Sequence, residues 1–343
     1  MLKIAINGYG RIGRSFVRAL AEREAAGNAL PVRLVAINDL GRAEDLLYLT
    51  RYDTTHGRLN APAELVDGCL RIGDQAPRLF SEPEPEQLPW AELGVDVVLE
   101  CSGSFRARDD AARHLTAGAG RVIVGAVPFD YADQTIVYGV NHEDLKPDSR
   151  VLSAASCTTH CIAPVLAALD REFGVRQALM KEIHAYTSDQ TLLDHVHRDP
   201  RRGRAGAQNI IPTTSSAIKA VQAVLPALAG RVDGHSIRVP TLNVAMVALT
   251  LLLERTPAAG DLNPWLRRLS QEQPELIGYN DEPLVSVDFN HRPESAVLDA
   301  TQTRVQGELV QVVAWYDNEW GYANRLIDWV AAMASDTGKT ATN

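Results

Sequence analysis

The sequence lacks an excess of positive charge. Its 343 residues include 34 lysines and arginines against 43 aspartates and glutamates, which gives a formal net charge of −9. Nucleic acids and anionic membranes favour partners with surplus Lys and Arg, because binding neutralises phosphate groups. The composition therefore excludes a general affinity for either, and we expect small molecules as partners.

Long apolar runs and cysteines are also scarce. No stretch approaches the roughly 20 apolar residues of a membrane span, and the first residues, Leu2 to Asn7, have the composition of a strand and not of a signal peptide. The four cysteines are Cys69, Cys101, Cys157 and Cys161. Free thiols fit a reducing compartment, and two neighbouring sulfurs alone do not make a metal site. We expect a cytoplasmic protein without a metal.

Aromatic residues make up only 6% of the chain, yet 45% of it is hydrophobic. A chain of this length and apolar content can bury more than one core, so we predict two domains. We assign residues 1–156, completed by a C-terminal helix at 319–334, to the first domain and residues 157–318 to the second. Residues 335–343 are small and polar and predict a flexible tail.

The first domain begins with a strand, a glycine turn and a helix. Lys3 to Asn7 is strand-like, Gly8-Tyr9-Gly10-Arg11-Ile12-Gly13 follows, and Ser15 to Leu20 has helical spacing. Such a turn lets a pyrophosphate approach the backbone and the helix N–H groups. A second strand, Val32 to Asn38, ends at Asp39, whose carboxylate can bind ribose hydroxyls and repel a 2′-phosphate. These features predict NAD in preference to NADP, although Asp39 alone could equally cap the next helix.

Further apolar runs complete the predicted fold. Val95 to Cys101 and Gly120 to Val124 have the β-branched composition of strands covered on both faces, which is typical of parallel sheets. Ser102, directly after the first run, is small enough to let a cofactor approach. We predict an α/β, doubly wound, Rossmann-like NAD-binding domain. The runs Arg238 to Leu253 and Val310 to Tyr316 predict a mainly antiparallel sheet in a second, α+β catalytic domain.

Cys157 lies near the middle of the chain, in Ser156-Cys157-Thr158-Thr159, and precedes a helical run from Ile162 to Leu169. A helix N-terminus can stabilise a thiolate, which is the nucleophilic form of cysteine. A lone free cysteine is more often an inert small hydrophobe, so the context must decide. His184 follows a strand-like run, Met180 to Ile183, and can serve as the base that activates Cys157.

Motifs along nearly the whole chain resemble those of the phosphorylating glyceraldehyde-3-phosphate dehydrogenase family, in that family's order. They are Gly8 to Gly13, Asn38 to Leu40, Tyr52 to Arg58, Ser156 to Thr159, His184 to Gln190, Arg238 to Val244 and Trp315 to Tyr322. The resemblance implies a homotetrameric, NAD-dependent aldehyde dehydrogenase of glycolysis. It also implies that a helix near the C-terminus packs on the first domain.

The resemblance assigns the catalytic roles. Cys157 would add to the substrate aldehyde to give a thiohemiacetal, and His184 would polarise Cys157 and take the hydroxyl proton. Hydride would pass to NAD, and inorganic phosphate would release the acyl group from a thioester as an acyl phosphate, 1,3-bisphosphoglycerate. Asn318 would hydrogen-bond the nicotinamide carboxamide. The residues at the family's cofactor positions are Gly8, Gly10, Arg11, Ile12, Gly13, Asp39, Ser102, Asn318 and Tyr322.

Two phosphate sites are implied, and such sites use Arg forks, hydroxyls and backbone N–H groups. The residues at the substrate-phosphate positions are Thr187, Asp189 and Arg238. The residues at the inorganic-phosphate positions are Ser156, Thr158, Arg202, Ser215 and Ser216. Ser215-Ser216 replaces the usual Thr-Gly, so a side chain is added where glycine would present only backbone.

The chain departs from the family pattern beside the nucleophile. Ala154 and His160 replace two asparagines, which could change how Cys157 is positioned. His160 could also titrate near Cys157 and alter its ionisation, or point to solvent or an interface. His195-Val196 replaces a Leu-Pro pair that touches the cofactor of an adjacent subunit in many NAD-using relatives. The NAD preference therefore rests mainly on Asp39.

Three alternatives stay open. Segments such as Leu88 to Asp96 and Leu284 to His291 look closer to the sister erythrose-4-phosphate dehydrogenases, which makes erythrose 4-phosphate the alternative substrate. A cysteine hydrolase could use Cys157 and His184 without a cofactor. An inactive or regulatory NAD-binding relative would keep the fold and lose the activity.

Overall fold

Two units make up the structure, a computed structural model that describes the backbone of residues 1–340 and the side chains of residues 1–335. The first unit comprises residues 1–155 and the C-terminal residues from Ala323, and the second comprises residues 156–322. Within residues 1–340, no helix is long and apolar enough to cross a bilayer.

The first unit is built on a nine-stranded sheet in the order β10-β11-β9-β8-β1-β2-β7-β6-β5, with a small β3-β4 ribbon beside it. The strands from β10 to β7 in this order run parallel, and β6 and β5 are antiparallel additions at one edge. The strands are β1 (Leu2–Asn7), β2 (Val32–Asn38), β3 (Tyr52–Asp53), β4 (Gly57–Arg58), β5 (Ala63–Val66), β6 (Cys69–Ile72), β7 (Arg78–Phe80), β8 (Val97–Glu100), β9 (Arg121–Val124), β10 (Gln134–Thr135) and β11 (Val151–Ser153). The helices are α1 (Arg11–Ala25), α2 (Ala43–Arg51), α3 (Trp90–Leu93) and α4 (Arg108–Thr116).

The central strands of this sheet are apolar because both faces are covered. All four residues of β8 are buried, and Lys3 is the one exposed residue of β1. Helix α1 packs an apolar face that includes Phe16 and Leu20, and it also buries Arg18. The Arg18 guanidinium donates to the backbone carbonyls of residues 50, 56 and 57, so the segment after α2 is tied to α1.

The second unit is built on an eight-stranded sheet in the order β13-β14-β12-β15-β19-β17-β16, with β18 paired to β19. Its strands are β12 (Val175–Ala185), β13 (Ile211–Thr213), β14 (Val232–Val239), β15 (Ala245–Leu253), β16 (Ile277–Asn280), β17 (Ala296–Asp299), β18 (Arg304–Gln306) and β19 (Leu309–Tyr316). The helices that follow α4 in the chain are α5 (Cys157–Phe173), α6 (Ala217–Val224), α7 (Ala259–Glu272) and α8 (Trp320–Thr340).

Most neighbours in the second sheet are antiparallel, and the β12-β14 and β16-β17 pairs are parallel. Strand β15 alternates buried and half-buried residues along its whole length, as a sheet with one face on a core requires. The predicted fold class, a Rossmann-like α/β domain and an α+β domain with a mainly antiparallel sheet, is confirmed.

Helix α8 begins where Asp317 accepts hydrogen bonds from the N–H groups of Glu319 and Trp320. This helix is longer than the segment that the sequence pattern predicts, since it continues to Thr340. The predicted tail, residues 335–343, thus overlaps α8, and its last three residues lie outside the described residues. Its flexibility stays a prediction.

Candidate active site

The glycine turn of the first unit follows β1 and leads into α1. Gly8 has a φ of +92°, and a Cβ there would lie 2.3 Å from the backbone nitrogen of Ser102. A Cβ at Gly13 would lie 2.5 Å from the carbonyl oxygen of Gly8. Gly10 differs, because among the described residues no atom beyond Gly10 and its neighbours in the chain lies within 4 Å of the position of its missing Cβ. The first and third glycines therefore permit the turn itself, and the second leaves room that a pyrophosphate can use.

Asp39, directly after β2, binds the glycine turn. Its Oδ2 accepts the N–H of Tyr9 at 2.7 Å, and its Oδ1 accepts the N–H of Gly41 at 2.8 Å. The N-cap residue of α2 is Arg42, so Asp39 does not cap that helix. A carboxylate held in this way stays beside the turn, where ribose hydroxyls of a dinucleotide would need an acceptor.

Two other predicted cofactor residues already have partners. Arg11, the first residue of α1, forms an ion pair with Asp53 through its guanidinium. Burial acts to raise the pKa of Asp53, but the hydrogen bond from Arg11 and the N–H groups of His56 and Thr55 bring it well below its usual range. Arg11 therefore offers a phosphate its backbone N–H at the start of α1, as does Ile12.

A buried polar network supports this edge of the sheet. Glu100, at the end of β8, accepts the N–H of Ser102 at 2.8 Å and the amide of Asn7 at 2.5 Å. Its other neighbour is His114, whose Nε2 lies 3.0 Å from the carboxylate and whose Nδ1 accepts the indole N–H of Trp90. The network fixes Ser102 and the end of β1 next to Gly8.

In the second unit, α5 begins at Cys157, earlier than the helical spacing from Ile162 predicts. Ser156 is the N-cap, and its Oγ accepts the N–H of Thr159 at 3.1 Å. Ala155 has a φ of +54°, an uncommon conformation for a residue with a side chain. The strained turn and the cap place Cys157 in the first turn of a 17-residue helix, where N–H groups are unpaired.

Cys157 and His184 lie side by side. The Cys157 Sγ is 3.5 Å from His184 Nε2, and His184 Nδ1 is 2.6 Å from the carbonyl oxygen of Ala185. The Ala185 carbonyl only accepts, so we assign the hydrogen to Nδ1, although Arg238 Nη1 also lies 3.2 Å from that nitrogen; the lone pair of Nε2 then faces the sulfur. Strand β12 supplies His184 and α5 supplies Cys157, so the pair joins two rigid elements. This is the geometry of a nucleophile and its base.

Burial keeps both partners neutral. It raises the pKa of the Cys157 thiol to about 12, with a further contribution from the Glu182 carboxylate, while Arg238 and Thr158 act in the opposite direction. Burial and the Arg238 guanidinium together lower the pKa of His184 to about 4, although the Glu182 carboxylate acts in the opposite direction. At neutral pH the proton therefore stays on the sulfur until a substrate is attacked, and a neutral imidazole is ready to accept it.

Arg238, on β14, brings a cation to this pair. Its Nη1 lies 3.3 Å from the carbonyl oxygen of Ala185 and 3.5 Å from the Thr187 hydroxyl. Its Nε is buried and has no hydrogen-bond partner among the described residues. A buried guanidinium N–H without an acceptor, next to a hydroxyl, fits an anionic group of a substrate.

Asp189 and Arg202 bind each other. Arg202 Nη1 donates to Asp189 at 2.6 Å, Nε donates to the Thr213 hydroxyl at 3.0 Å, and Nη2 donates to the carbonyl oxygen of Thr214 at 3.1 Å. Burial raises the pKa of Asp189, but the Arg202 contacts outweigh it and the net direction is downward. The resemblance distributes these two residues between different phosphate sites, whereas the structure unites them in one ion pair.

The serine pair before α6 adopts ordinary backbone geometry. Ser216 has a φ of −72° and a ψ of −12°, so the replacement of a glycine introduces no strain. The Ser215 Oγ accepts the N–H of Ala217 at 3.3 Å. The Ser215 hydroxyl also acts to lower the pKa of the Glu182 carboxyl.

Asn318 and Tyr322 are both buried. The Oδ1 of Asn318 has no hydrogen-bond partner among the described residues, which fits an amide that awaits a ligand. The ring of Tyr322 meets the ring of His160 edge-on, with centroids 5.4 Å apart. His160 is only 2% exposed, so of the alternatives for this residue the one in which it points to solvent is excluded.

Sequence reasoning missed two residues beside Cys157. Glu182 is 2% exposed and lies two residues before His184 on β12, so both side chains are on one face of the strand. Tyr316 ends β19, and its hydroxyl lies 2.8 Å from that of Thr158. The signal for Glu182 was its strand periodicity with His184, but the sequence offered none for Tyr316 beyond its place in a motif. No cluster of three or more metal-ligating side chains occurs among the described residues.

A doubly wound sheet with a glycine turn and a carboxylate, together with a cysteine and histidine pair at a helix start, defines a dinucleotide-dependent oxidoreductase with a candidate cysteine nucleophile. Comparison with known proteins shows to which family of such oxidoreductases the chain belongs. Residues 2–108 match the family model described as glyceraldehyde 3-phosphate dehydrogenase, NAD binding domain, and residues 156–318 match that described as the C-terminal domain. The chain belongs to the glyceraldehyde 3-phosphate dehydrogenase family.

Bacterial relatives cover nearly the whole chain. The glyceraldehyde-3-phosphate dehydrogenase of Pseudomonas aeruginosa is 47% identical over 334 residues, which cover 97% of this chain and 98% of that protein. The plasmid-encoded enzyme of that name from Cupriavidus necator and the one from Xanthobacter flavus are each 46% identical over the same shares. The family resemblance and the NAD cofactor inferred from the motifs are confirmed, and the cofactor-free hydrolase finds no support.

Proposed function

We propose that the chain catalyses the NAD-dependent, phosphorylating oxidation of glyceraldehyde 3-phosphate to 1,3-bisphosphoglycerate, a step of glycolysis. The observation that carries the proposal is the 3.5 Å approach of Cys157 Sγ to His184 Nε2 at the start of α5. The relatives named above are called glyceraldehyde-3-phosphate dehydrogenases, and nothing in the comparison favours erythrose 4-phosphate.

The chain's own residues account for the covalent chemistry. The Cys157 sulfur adds to the aldehyde carbon while its proton passes through His184 Nε2 to the aldehyde oxygen, and His184 takes this hydroxyl proton back when the hydride leaves the carbon. NAD, when bound, supplies the hydride acceptor that turns the thiohemiacetal into a thioester. Inorganic phosphate then forms a bond to the acyl carbon, the carbon–sulfur bond breaks, and Cys157 recovers its proton.

The residues proposed for the phosphate groups have the chemistry of anion sites. Arg238 and Thr187 lie together beside His184 and suit the phosphate of the substrate. Thr158 and Ser215 supply hydroxyls for the inorganic phosphate, with Ser156 and Ser216 close to them in the chain. The pair of Asp189 and Arg202 is proposed to border these sites through the Arg202 guanidinium.

The cofactor positions fit a dinucleotide. The open space at Gly10 and the first N–H groups of α1 suit a pyrophosphate, and Asp39 suits the adenosine ribose. The unpartnered Oδ1 of Asn318 suits the carboxamide of nicotinamide. We propose residues 1–156 with 319–334 as the NAD-binding part and residues 157–318 as the catalytic part, in a cytoplasmic homotetramer.

Replacement of Asp39 by asparagine should reduce the preference for NAD over NADP by roughly tenfold or more, because the charge that repels a 2′-phosphate is removed. Fluorescence titration of the protein with NAD and with NADP measures both affinities. Asp45→Asn is the matched control, since Asp45 is exposed on α2 and pairs only with Arg42. An unchanged ratio of the two affinities would show that Asp39 does not read the ribose.

The proposed reaction should require inorganic phosphate in steady state. With glyceraldehyde 3-phosphate and NAD but no phosphate, we expect a burst of NADH of about one equivalent per chain and then a slow rate, because the thioester has no acceptor. Addition of phosphate should restore continuous turnover, which absorbance of NADH follows. Sulfate at the same ionic strength is the control anion. Equal steady rates with and without phosphate would contradict the phosphorylating assignment, and faster turnover of erythrose 4-phosphate would contradict the substrate.

A further inference from the structure

A buried carboxylate lies against the Cys157 and His184 pair and has no role in the proposed reaction. Glu182 is 2% exposed, and its Oε1 lies 3.9 Å from His184 Nε2. The same oxygen accepts the Thr158 hydroxyl at 2.6 Å. Its Oε2 is buried without a hydrogen-bond partner among the described residues. A half-satisfied buried carboxylate is costly, so its position calls for a functional explanation.

Glu182 uses one of the hydroxyls that the proposed function gives to inorganic phosphate. Thr158 donates its hydroxyl hydrogen to Glu182. A hydroxyl has a single hydrogen to donate. A phosphate oxygen that needs the Thr158 hydroxyl as a donor must therefore displace Glu182 from it.

The negative charge of Glu182 also opposes the binding of inorganic phosphate. Burial raises the pKa of this carboxyl, but His184, Arg238 and the nearby hydroxyls of Ser215 and Thr158 outweigh burial, so the net direction is downward and the group is ionised. Inorganic phosphate is itself an anion at neutral pH. Two negative groups that share a buried, poorly screened site repel each other strongly.

We propose that Glu182 is a specificity-determining residue for the acyl acceptor, which weakens the binding of inorganic phosphate by holding the Thr158 hydroxyl and by repelling the anion. The inference rests on the proposed function, because it concerns the acceptor of the same thioester. Glu182 forms and breaks no covalent bond in the reaction. Its effect is on the affinity of the site for phosphate, and a chain of this sequence works best where phosphate is abundant.

The test compares Glu182→Gln with the wild type in NADH formation at varied phosphate concentration. Glutamine keeps the size of the side chain and removes its charge, so the KM for phosphate should fall by roughly tenfold or more. The KM values for NAD and for the aldehyde should change much less. Glu182→Asp keeps the charge and should keep a high KM for phosphate. Glu172→Gln is the matched control, because Glu172 is exposed at the end of α5 and pairs with Arg255.

A second measurement does not depend on turnover. Inorganic phosphate should protect Cys157 from iodoacetamide, and the phosphate concentration for half protection should fall in Glu182→Gln by the same factor as the KM. A purely structural role for Glu182 would change unfolding or kcat without this shift. Equal half-protection concentrations in the two proteins would overturn the inference. If the wild type formed no NADH from the aldehyde at any phosphate concentration, the proposed function would fail, and the protection experiment would still decide the role of Glu182.

Discussion

Replacement of Cys157 by serine is expected to lower NADH formation from glyceraldehyde 3-phosphate on the order of 10⁴-fold, as loss of a covalent nucleophile does in other enzymes. Serine is nearly the same size, so the cap of α5 and the packing around residue 157 should survive. Its hydroxyl ionises far less readily than a thiol, and the buried site makes ionisation harder still. Steady-state rates and NAD titration of the same sample separate lost chemistry from lost binding.

Cys69→Ser is the matched control for this substitution. Cys69 is a free, half-buried cysteine on β6 in the first unit, and it has no part in the proposed chemistry. The control should keep its rate within about twofold, since surface substitutions away from special features have small effects. A Cys157→Ser protein with near wild-type turnover would exclude the covalent mechanism, whatever its affinity for NAD.

The fold could be predicted because local signals agreed with each other. The turn needs a positive φ at Gly8 and has no room for a Cβ at Gly13, and glycine is the residue that meets both requirements. The continuous apolar run of β8, all of which is buried, is typical of a parallel strand covered on both faces. The alternation in β15 is typical of a sheet that packs one face against a core. Each of these patterns involves residues that are close together in the chain, so they can be recognised from the sequence without the structure.

The start of α5 was harder to predict. The helical spacing becomes regular only from Ile162, whereas the helix begins at Cys157 because Ser156 caps it. The cap depends on a hydrogen bond to Thr159, and serine also occurs in turns and loops, so its presence did not mark the boundary. Pro164 lies inside the helix, where proline is uncommon, so it gave no sign that the helix begins at Cys157.

Side-chain contacts between residues far apart in the chain could not be predicted from the sequence. Thr158 on α5 and Glu182 on β12 meet at 2.6 Å, and Arg202 and Asp189 meet within one loop region, although neither contact follows from spacing in the chain. The resemblance supplied roles for three of these residues and none for Glu182. Side chains from different elements converge only when the sheet is assembled, so their contacts must be observed.

Replacement of His184 by glutamine should slow NADH formation by about 10² to 10⁴-fold, which is the usual contribution of a general base. It should also change the pH dependence of Cys157 alkylation by iodoacetamide. In the wild type, His184 is neutral above a pKa of about 4 and can take the thiol proton, so the rate should vary little between pH 5 and pH 8. Without His184 only the thiolate reacts, and burial raises the pKa of that thiol to about 12. The variant's rate should therefore rise about tenfold for each pH unit in this range.

His235→Gln is the matched control, because His235 is exposed on β14 and pairs in register with Lys181 of β12. It should keep the wild-type rate and the flat pH profile.

The pH dependence of stability tests the lowered pKa of His184 independently. In the unfolded chain His184 takes up a proton below its ordinary pKa of 6.5, whereas in the folded chain it does so only below a pKa of about 4. The free energy of unfolding should fall as pH drops through this window, and His184→Gln should remove that part of the loss. A His184→Gln protein whose alkylation stays flat with pH would show that another group takes the proton from Cys157.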